Sequence, residues 1–513
     1  MPDQHIDLND IQGNIVKAYG RFGYPKARYI FFQFHDVEAG RNFIRDLLPL
    51  ITTGRPWCKD QPPSATTNIA FTYQGLKHLG LPTKTLHSFP EEFSMGMKAR
   101  ADILGDDGES SPTEWDPIWH HDKYIHMFMS INAKSLEALE ERYKKIQDLL
   151  KKSSGLVTQL RGHRDGQRDD LPYQEASAIF VDGKPTPTEH FGYQDGISDP
   201  YFKGSGGNPL NVVGGGKPTR GDPATLQGWE PLETGEFILG YPDETKELPI
   251  APVPTLLSFN GTFMVYRKLH EKVKTFHDYI NNVGKDFPGG PEAVAAKMAG
   301  RWRNGAPLVL FPTREEANAF AQEYEKAREL AATSAKGKKR YEELRLKRTG
   351  FNFGNDLAGS RCPMGAHIRR ANPRGCLEFG IKDAFATPGA LDNRRRILRR
   401  GLPYGEVTNP LSDDGEHGVI FMAIGTSIER QFEFVQQQWI NYGNDFKLSN
   451  QKDPLLGNHD GKDMFMIEGG SPDNPPFFCP EIPRFVTTRG GEYFFVPGLT
   501  AIRMIADNLI DPT

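Results

Sequence analysis

Residues 27–51 read ARYIFFQFHDVEAGRNFIRDLLPLI and change period partway along. The stretch ARYIFFQF (27–34) is rich in aromatic and branched side chains and reads as a strand. Past it, Phe43, Leu47 and Leu48 fall on one face of a helix. The pairing recurs along the chain. YIHMFMSI (124–131) is followed by Leu136, Leu139, Tyr143, Ile146 and Leu149 at helical spacing among lysines and glutamates. GTFMVYRKL (261–269) leads into HEKVKTFHDYINNV, and GVIFMAIG (418–425) leads into TSIERQFEFVQQQWINY. Strand–helix units thus occur twice in each half, separated by long loops. This predicts a duplicated α+β architecture in which helices back the strands of a sheet. A doubly wound dinucleotide fold is not expected, because no strand leads into G-x-G-x-x-G. The glycine cluster KGSGGNPLNVVGGGKPTRG (203–221) reads as a surface loop. The Ala/Glu/Lys-rich segment 313–348 reads as an exposed helical insertion.

The 513 residues suffice for three domain-sized units, or two large ones with insertions, and for enclosing a large ligand. A formal net charge of −4 calls for neither nucleic acid nor an anionic membrane as partner. No apolar run of about 18 residues occurs, so no membrane span is expected. The start, MPDQHIDLNDIQGNIVK, lacks a basic region followed by an apolar one, and a cytoplasmic location is expected, a secreted mature form remaining compatible. Four cysteines, Cys58, Cys362, Cys376 and Cys479, are sparse and irregularly spaced, which fits a reducing compartment rather than a disulfide framework. The absence of Cys-x-x-Cys-His argues against covalent haem attachment.

Three stretches hold the chemistry. In HFGYQDGISDP (190–200), Gly192 and Gly196 bracket Asp195. A bare Asp-Gly is most often a tight turn. In GSRCPMGAHIRRANPR (359–374), Pro363, Gly365 and Ala366 precede His367 and would let a large flat ligand approach the backbone. Arg369, Arg370 and Arg374 follow and could pair with a macrocycle's carboxylates. A neutral imidazole is a standard axial ligand for haem iron; the plain alternative is a histidine in a basic loop. Cys362 as a thiolate ligand is disfavoured, because Arg361 abuts it. The adjacent His120 and His121 point apart and do not suit a shared metal. In DNRRRILRRGLPYGE (392–406), Ile397, Leu398 and Arg399 followed by Gly401, Pro403 and Gly405 suggest a buried strand ending in a turn. A charge carried there needs a partner or a task.

Taken together, these stretches resemble the dye-decolorising peroxidases. GYQDG fits the family's G-x-x-D-G signature, CPMGAHIRRANPR its proximal-histidine segment and ILRRGLPYG its distal-arginine segment. DIQGNI (10–15) and SIERQFEFVQQQW (427–439) are similar to further family segments, in a chain like the long fungal and cyanobacterial-like members. The resemblance implies two ferredoxin-like halves of the dimeric α+β barrel type, expected at 1–230 and 231–513, with one haem b between them. It implies that His367 binds iron. It also implies that Asp195, with Gly196 beside it, serves as the distal acid–base, and that Arg399 supplies positive charge there and contacts the cofactor. Arg400 is the less favoured arginine. Hydrogen peroxide would generate a ferryl porphyrin radical that oxidises dyes, phenols and other aromatic reductants. The alternative is a haem-storage or iron-extracting protein with incidental turnover.

Further expectations follow. A haem-bound imidazole needs an acceptor on its second nitrogen. Glu429 borders the apolar stripe of Ile428, Phe432, Val435 and Trp439 and is the candidate, with Glu433 as alternative. Tyr404 is, by motif position, the expected surface electron relay. An ordinary aspartate titrates near ~3.9, so activity is expected to be higher in acid than at neutral pH.

Overall fold

The computed structural model describes residues 6–57, 61–166, 168–206, 230–377, 390–469 and 475–511. Ten strands form one sheet. They are β1 (Lys26–Phe34), β2 (Ala65–Phe71), β3 (Met127–Ala133), β4 (Val157–Gln159), β5 (Gln174–Ser177), β6 (Thr262–Glu271), β7 (Leu398–Arg400), β8 (Pro403–Tyr404), β9 (Gly418–Gly425) and β10 (Val486–Val496). The order is β8-β9-β6-β10-β2-β3-β1-β4, with β5 pairing β1 and β7 pairing β9. Strands from the first part of the chain therefore occupy one end, those from the second part the other. The two groups meet at β10 and β2, where Phe495 pairs with Phe71.

The seam explains DIQGNI. Gln12 is buried and its Nε2 donates to Ile69 O (2.8 Å) and Pro497 O (2.9 Å), one carbonyl from each group, while its Oε1 accepts from Ile69 N (2.9 Å). An amide carries the donors and acceptor such a clip needs.

β1 and β3 are buried almost throughout because aromatic and branched residues alternate onto two covered faces. One face packs under α1 (Val37–Leu47) and α2 (Leu136–Lys152), capped by Asp36 and Ser135. On the other, rings from both groups meet: Phe31 lies 5.4 Å from Tyr266 and 6.1 Å from Phe494. α3 (Val273–Val283) follows β6, and the C-terminal helix Leu499–Ala506 packs against α1, where Arg45 bonds Ala506 O (2.8 Å) and Asp507 (2.9 Å).

Two expectations shift. The third strand starts at Met127, because Pro117–Tyr124 winds into a 3₁₀ helix first. The segment after β9 is π-helical over Glu429–Glu433 and Val435–Ile440, with Asn441 N bonded to Gln436 O. Phe432, Val435, Gln436 and Trp439, at i, i+3, i+4 and i+7, line one cavity wall. The insertion forms α4 (Arg314–Ala331), opened by a Thr313/Glu316 capping box, and α5 (Ala335–Thr349). It is not fully exposed: Ala317, Phe320, Tyr324 and Leu344 pack with Phe351, Phe353 and Ala366. Residues 207–221 of the glycine cluster lie outside the described residues. Among the described residues no helix is long and apolar enough to cross a membrane.

Candidate active site

A cavity of about 390 Å³ lies between the two parts of the chain, and His367, Asp195, Gly196 and Arg399 all line it. Its remaining wall is largely apolar, with Ile197, Ile368, Ile397, Phe421 and Phe432 prominent.

Asp195 arrives on a loop whose turn closes one step earlier. Thr188 bridges Gln194, and Glu189 N donates to Tyr193 O (3.0 Å), so the tip is His190–Gly192 rather than Asp195-Gly196. Gly192 sits at φ +89°, with Arg303 Nη1 2.6 Å from where a β-carbon would be, and Gly196 sits at φ +69°. Only glycine adopts these angles without strain. Asp195 Oδ1 accepts from Gly196 N (2.6 Å) and from Arg399 Nη1 (2.5 Å). Period-two alternation along β7 sends Leu398 and Arg400 into packed protein and Arg399 to the cavity. The Asp195 charge, outweighing burial, holds the Arg399 guanidinium above its ordinary range, so it stays cationic. Arg400 instead pairs with Asp199 (2.8 Å) and donates to Asn14 O and Ile15 O.

His367 opens the short helix His367–Ala371, with the small residues before it buried. Its Nδ1 lies 2.9 Å from Asp453 Oδ2, which leaves Nε2 for the cavity. Asp453 is fully buried, and its Oδ1 accepts from Leu455 N (2.8 Å) and Leu456 N (2.9 Å). Burial alone would lower the His367 pKa; the charge and hydrogen bond of Asp453 reverse this and raise it. For Asp453, burial acts upward, and His367 and Arg370 together bring it below the usual carboxylate range.

Glu429 is therefore not the acceptor for His367. Its side chain is exposed at the start of the π-helical segment, where the wider winding turns it to solvent. Glu433, the alternative, is buried but taken up by Arg100 (2.9 Å to Nε) and the Tyr493 hydroxyl (2.8 Å). Asp453 lies in KDPLLGNHDGKD (452–463), a loop without periodicity, 86 positions from His367. The one local hint is an aspartate followed by Pro-Leu-Leu, a carboxylate placed to cap the next turn. Tyr404 is likewise corrected: it is 2% exposed, beneath a second cleft of about 690 Å³, because β8 pairs with β9 and Lys268 lies 4.8 Å from its ring.

Of the three arginines after His367, Arg374 alone reaches the cavity. Arg369 binds Asp356 (2.8 Å), and Arg370 holds Trp439 O (2.7 Å) and Gln451 O (2.9 Å). Arg301 and Arg396 join Arg374 at the wall. The hydrogen bonds of Arg301 and Arg374 run to main-chain carbonyls, Gly305 O and Arg348 O for the first, Thr349 O and Phe351 O for the second. Burial, then its arginine neighbours, lowers Arg301 to about 9 and pulls Arg374 down in the same way. Such a concentration of buried cations suits a ligand carrying carboxylates. Cys362 has no place in the cavity lining, and burial pushes its thiol up to about 11, the reverse of what a thiolate ligand needs.

A duplicated α+β barrel that sets an imidazole and an acid–guanidinium pair into one cavity is the scaffold of an oxidoreductase acting on peroxide. Residues 10–164 match the family model described as the DyP dimeric alpha+beta barrel domain. A dye-decolorizing peroxidase of Mycena epipterygia is 29% identical over 98% of this chain and 88% of its own. The multifunctional dye peroxidase DyP2 of Amycolatopsis sp. is 26% identical over 97% of this chain and 96% of its own. Among solved structures, an ancestral D-type dye decolorizing peroxidase is 27% identical and superposes with a TM-score of 0.72 over 97% of this chain and 99% of its own. A dye-decolorizing peroxidase in complex with 2,6-dimethoxyphenol is 25% identical, with a TM-score of 0.71 over 98% of this chain and 100% of its own. The chain is similar to dye-decolorising peroxidases along nearly its whole length, and its residues 10–164 match the family's barrel-domain model.

Proposed function

We propose that the cavity between the two halves, 1–230 and 231–513, holds one haem b through His367 Nε2 and that the protein uses hydrogen peroxide to oxidise dyes and phenolic donors. The observation carrying this reading is that His367, braced by Asp453, and the Asp195–Arg399 pair line one apolar cavity with buried guanidinium groups at its wall. Two carboxylates on an otherwise apolar ligand would offset the charges of Arg301 and Arg374, which are hydrogen-bonded to neutral carbonyls, so the residues present fit the group. Bound haem supplies the iron that takes peroxide and the electrons that reduce it. The chain's own work is proton transfer and charge. The Asp195 carboxylate takes the proton from the inner oxygen of peroxide and returns it to the outer one, which leaves as water. Arg399 holds fixed positive charge beside the departing oxygen, a contribution of about 3 kcal/mol for one such donor. Asp453 keeps the His367 proton on Nδ1, so Nε2 presents its lone pair.

The test is an absorption spectrum of the purified protein with haem, followed by rapid mixing with peroxide. Asp195→Asn should cut the peroxide rate by about 10²–10⁴-fold while leaving the resting spectrum nearly unchanged. His367→Ala should weaken haem retention or shift that spectrum. Wild-type rates in the first variant and an unaltered haem protein in the second would remove the assigned roles.

A further inference from the structure

Two carboxyl groups that take no part in the chemistry above also line the cavity: Glu189, at the foot of the Asp195 loop, and Glu271, the last residue of β6. Their carboxyl groups accept from adjacent backbone N–H groups, His190 N for Glu271 and Phe191 N for Glu189, and lie within hydrogen-bonding reach of each other. Two carboxylates cannot bond each other; one of the groups must carry a proton. The other contacts say which. Glu189 uses both oxygens as acceptors, Oε2 from Phe191 N (2.7 Å) and Oε1 from Tyr193 N (2.6 Å). These are backbone donors of the loop that ends in Asp195, and they favour the ionised form. Glu271 accepts through Oε2 from His190 N (3.2 Å), which leaves Oε1 to carry a hydrogen toward Glu189.

We propose that Glu189 and Glu271 share a single proton, resident on Glu271, and that this proton clamps the Asp195 loop to the end of β6 and so positions Asp195 for the peroxide reaction. The inference rests on the proposed role of Asp195 in that reaction. Glu189 gathers the loop's N–H groups, and Glu271 ties Glu189 to the rigid sheet. Loss of the proton sets two negative charges against each other, with Asp195 a third close by, and the clamp opens.

The surroundings leave this pair as the group whose deprotonation would open the clamp. Burial, followed by the neighbouring charge of Glu189, raises Glu271 well above the carboxylate range, and burial raises Glu189. His190, His270 and His417 pack around the pair, and burial depresses all three, His190 to about 4 and His270 to about 3. Tyr193 and Tyr404 are raised by burial. Arg303, bound to Glu292 (2.9 Å) and to Phe191 O, stays cationic. The sign follows from linkage. A carboxyl held above its unfolded value stabilises the clamp in acid, and that contribution is lost as pH rises through the folded value.

Glu271→Gln separates this idea from a purely structural role. The amide Nε2 can donate to Glu189 and its Oε1 can accept from His190 N, so glutamine mimics the protonated acid at every pH. Glu189→Gln cannot do so, because its NH₂ would face the donor of Phe191 or of Tyr193. For the wild-type holoenzyme, the rate constant with peroxide should fall about tenfold as pH rises through the titration of the shared proton. A carboxylic-acid C=O stretch in the infrared should vanish over the same range. Glu271→Gln should remove both the infrared band and the alkaline fall, whereas Glu189→Gln should be slow throughout. The proposal is overturned if Glu271→Gln keeps the wild-type alkaline limb, or if the wild type shows no protonated-carboxyl band at about pH 6. A wild type that holds haem yet never reacts with peroxide refutes the peroxidase reading instead; the infrared arm still decides whether the proton is shared.

Discussion

Replacing Asp453 with asparagine tests the His367 wall with little change of shape. The backbone N–H groups of Leu455 and Leu456 already occupy Oδ1, at 2.8 and 2.9 Å, so the asparagine oxygen must stay there. Its NH₂ then faces His367 Nδ1 at the 2.9 Å position that Oδ2 holds in the wild type. A donor against Nδ1 drives the imidazole proton to Nε2, the atom needed for iron. The variant loses a buried charge-assisted hydrogen bond, worth about 1.5–3 kcal/mol, and acquires the wrong tautomer. Haem affinity should drop about 10–100-fold, in line with the loss of a group that orients a metal ligand. A less basic imidazole should also raise the ferric/ferrous potential, by about 59 mV for each tenfold change in relative affinity for the two states. The assays are haem transfer to an excess of apo-globin and a spectroelectrochemical titration. Wild-type transfer rates together with a wild-type potential would refute the argument that Asp453 sets the His367 tautomer.

Other expectations concern the brace around this wall and the core. His459 Nε2 meets Asp453 O at 2.7 Å, and the same ring and Lys452 hold Asp463, bringing its carboxyl down to about 2. A depressed carboxyl contributes stability above its unfolded value, about 3.9, and loses it as pH falls. The Tm difference between wild type and Asp463→Asn should therefore be constant above about pH 5 and shrink as the pH approaches about 2; a difference independent of pH would contradict it. The buried pair of Lys268 and Asp116 (2.7 Å, side chains 1% and 0% exposed) predicts a cost of about 3 kcal/mol for Asp116→Ala, because the ammonium left inside keeps only the more distant Glu416 carboxylate (3.9 Å) and Arg164 O (3.0 Å). Chemical denaturation measures it, and a loss under about 1 kcal/mol would show that water reaches Lys268.

Much of the architecture was legible in the linear chain, because strand and helix periods are local. The ARYIFFQF and GVIFMAIG runs became β1 and β9, and the polar helices followed where the spacing put them. The segment that departed from its expected form, 427–440, winds as a π-helix and contributes Gln431, Phe432, Val435, Gln436, Trp439 and Ile440 to the cavity lining. The resemblance, rather than the local pattern, singled out His367, Asp195 and Arg399, and all three line one cavity.

Their partners were not legible in this way. His367 finds Asp453 across 86 positions and Asp195 finds Arg399 across 204. Glu429 looked suitable because it borders an apolar stripe, yet its side chain is exposed to water at the start of its helix. Tyr404 looked like a surface residue until strand pairing covered it. Glu189 and Glu271 carry no motif, and nothing in either neighbourhood requires a carboxyl to be buried. By itself the sequence determined which segments become strands and helices and which residue types could do redox chemistry, because backbone preference and hydrophobic period act over a few residues. Only the tertiary structure decided which carboxylate meets which partner, because electrostatic and hydrogen-bond energies depend on distances of a few ångströms between chain positions that folding alone brings together.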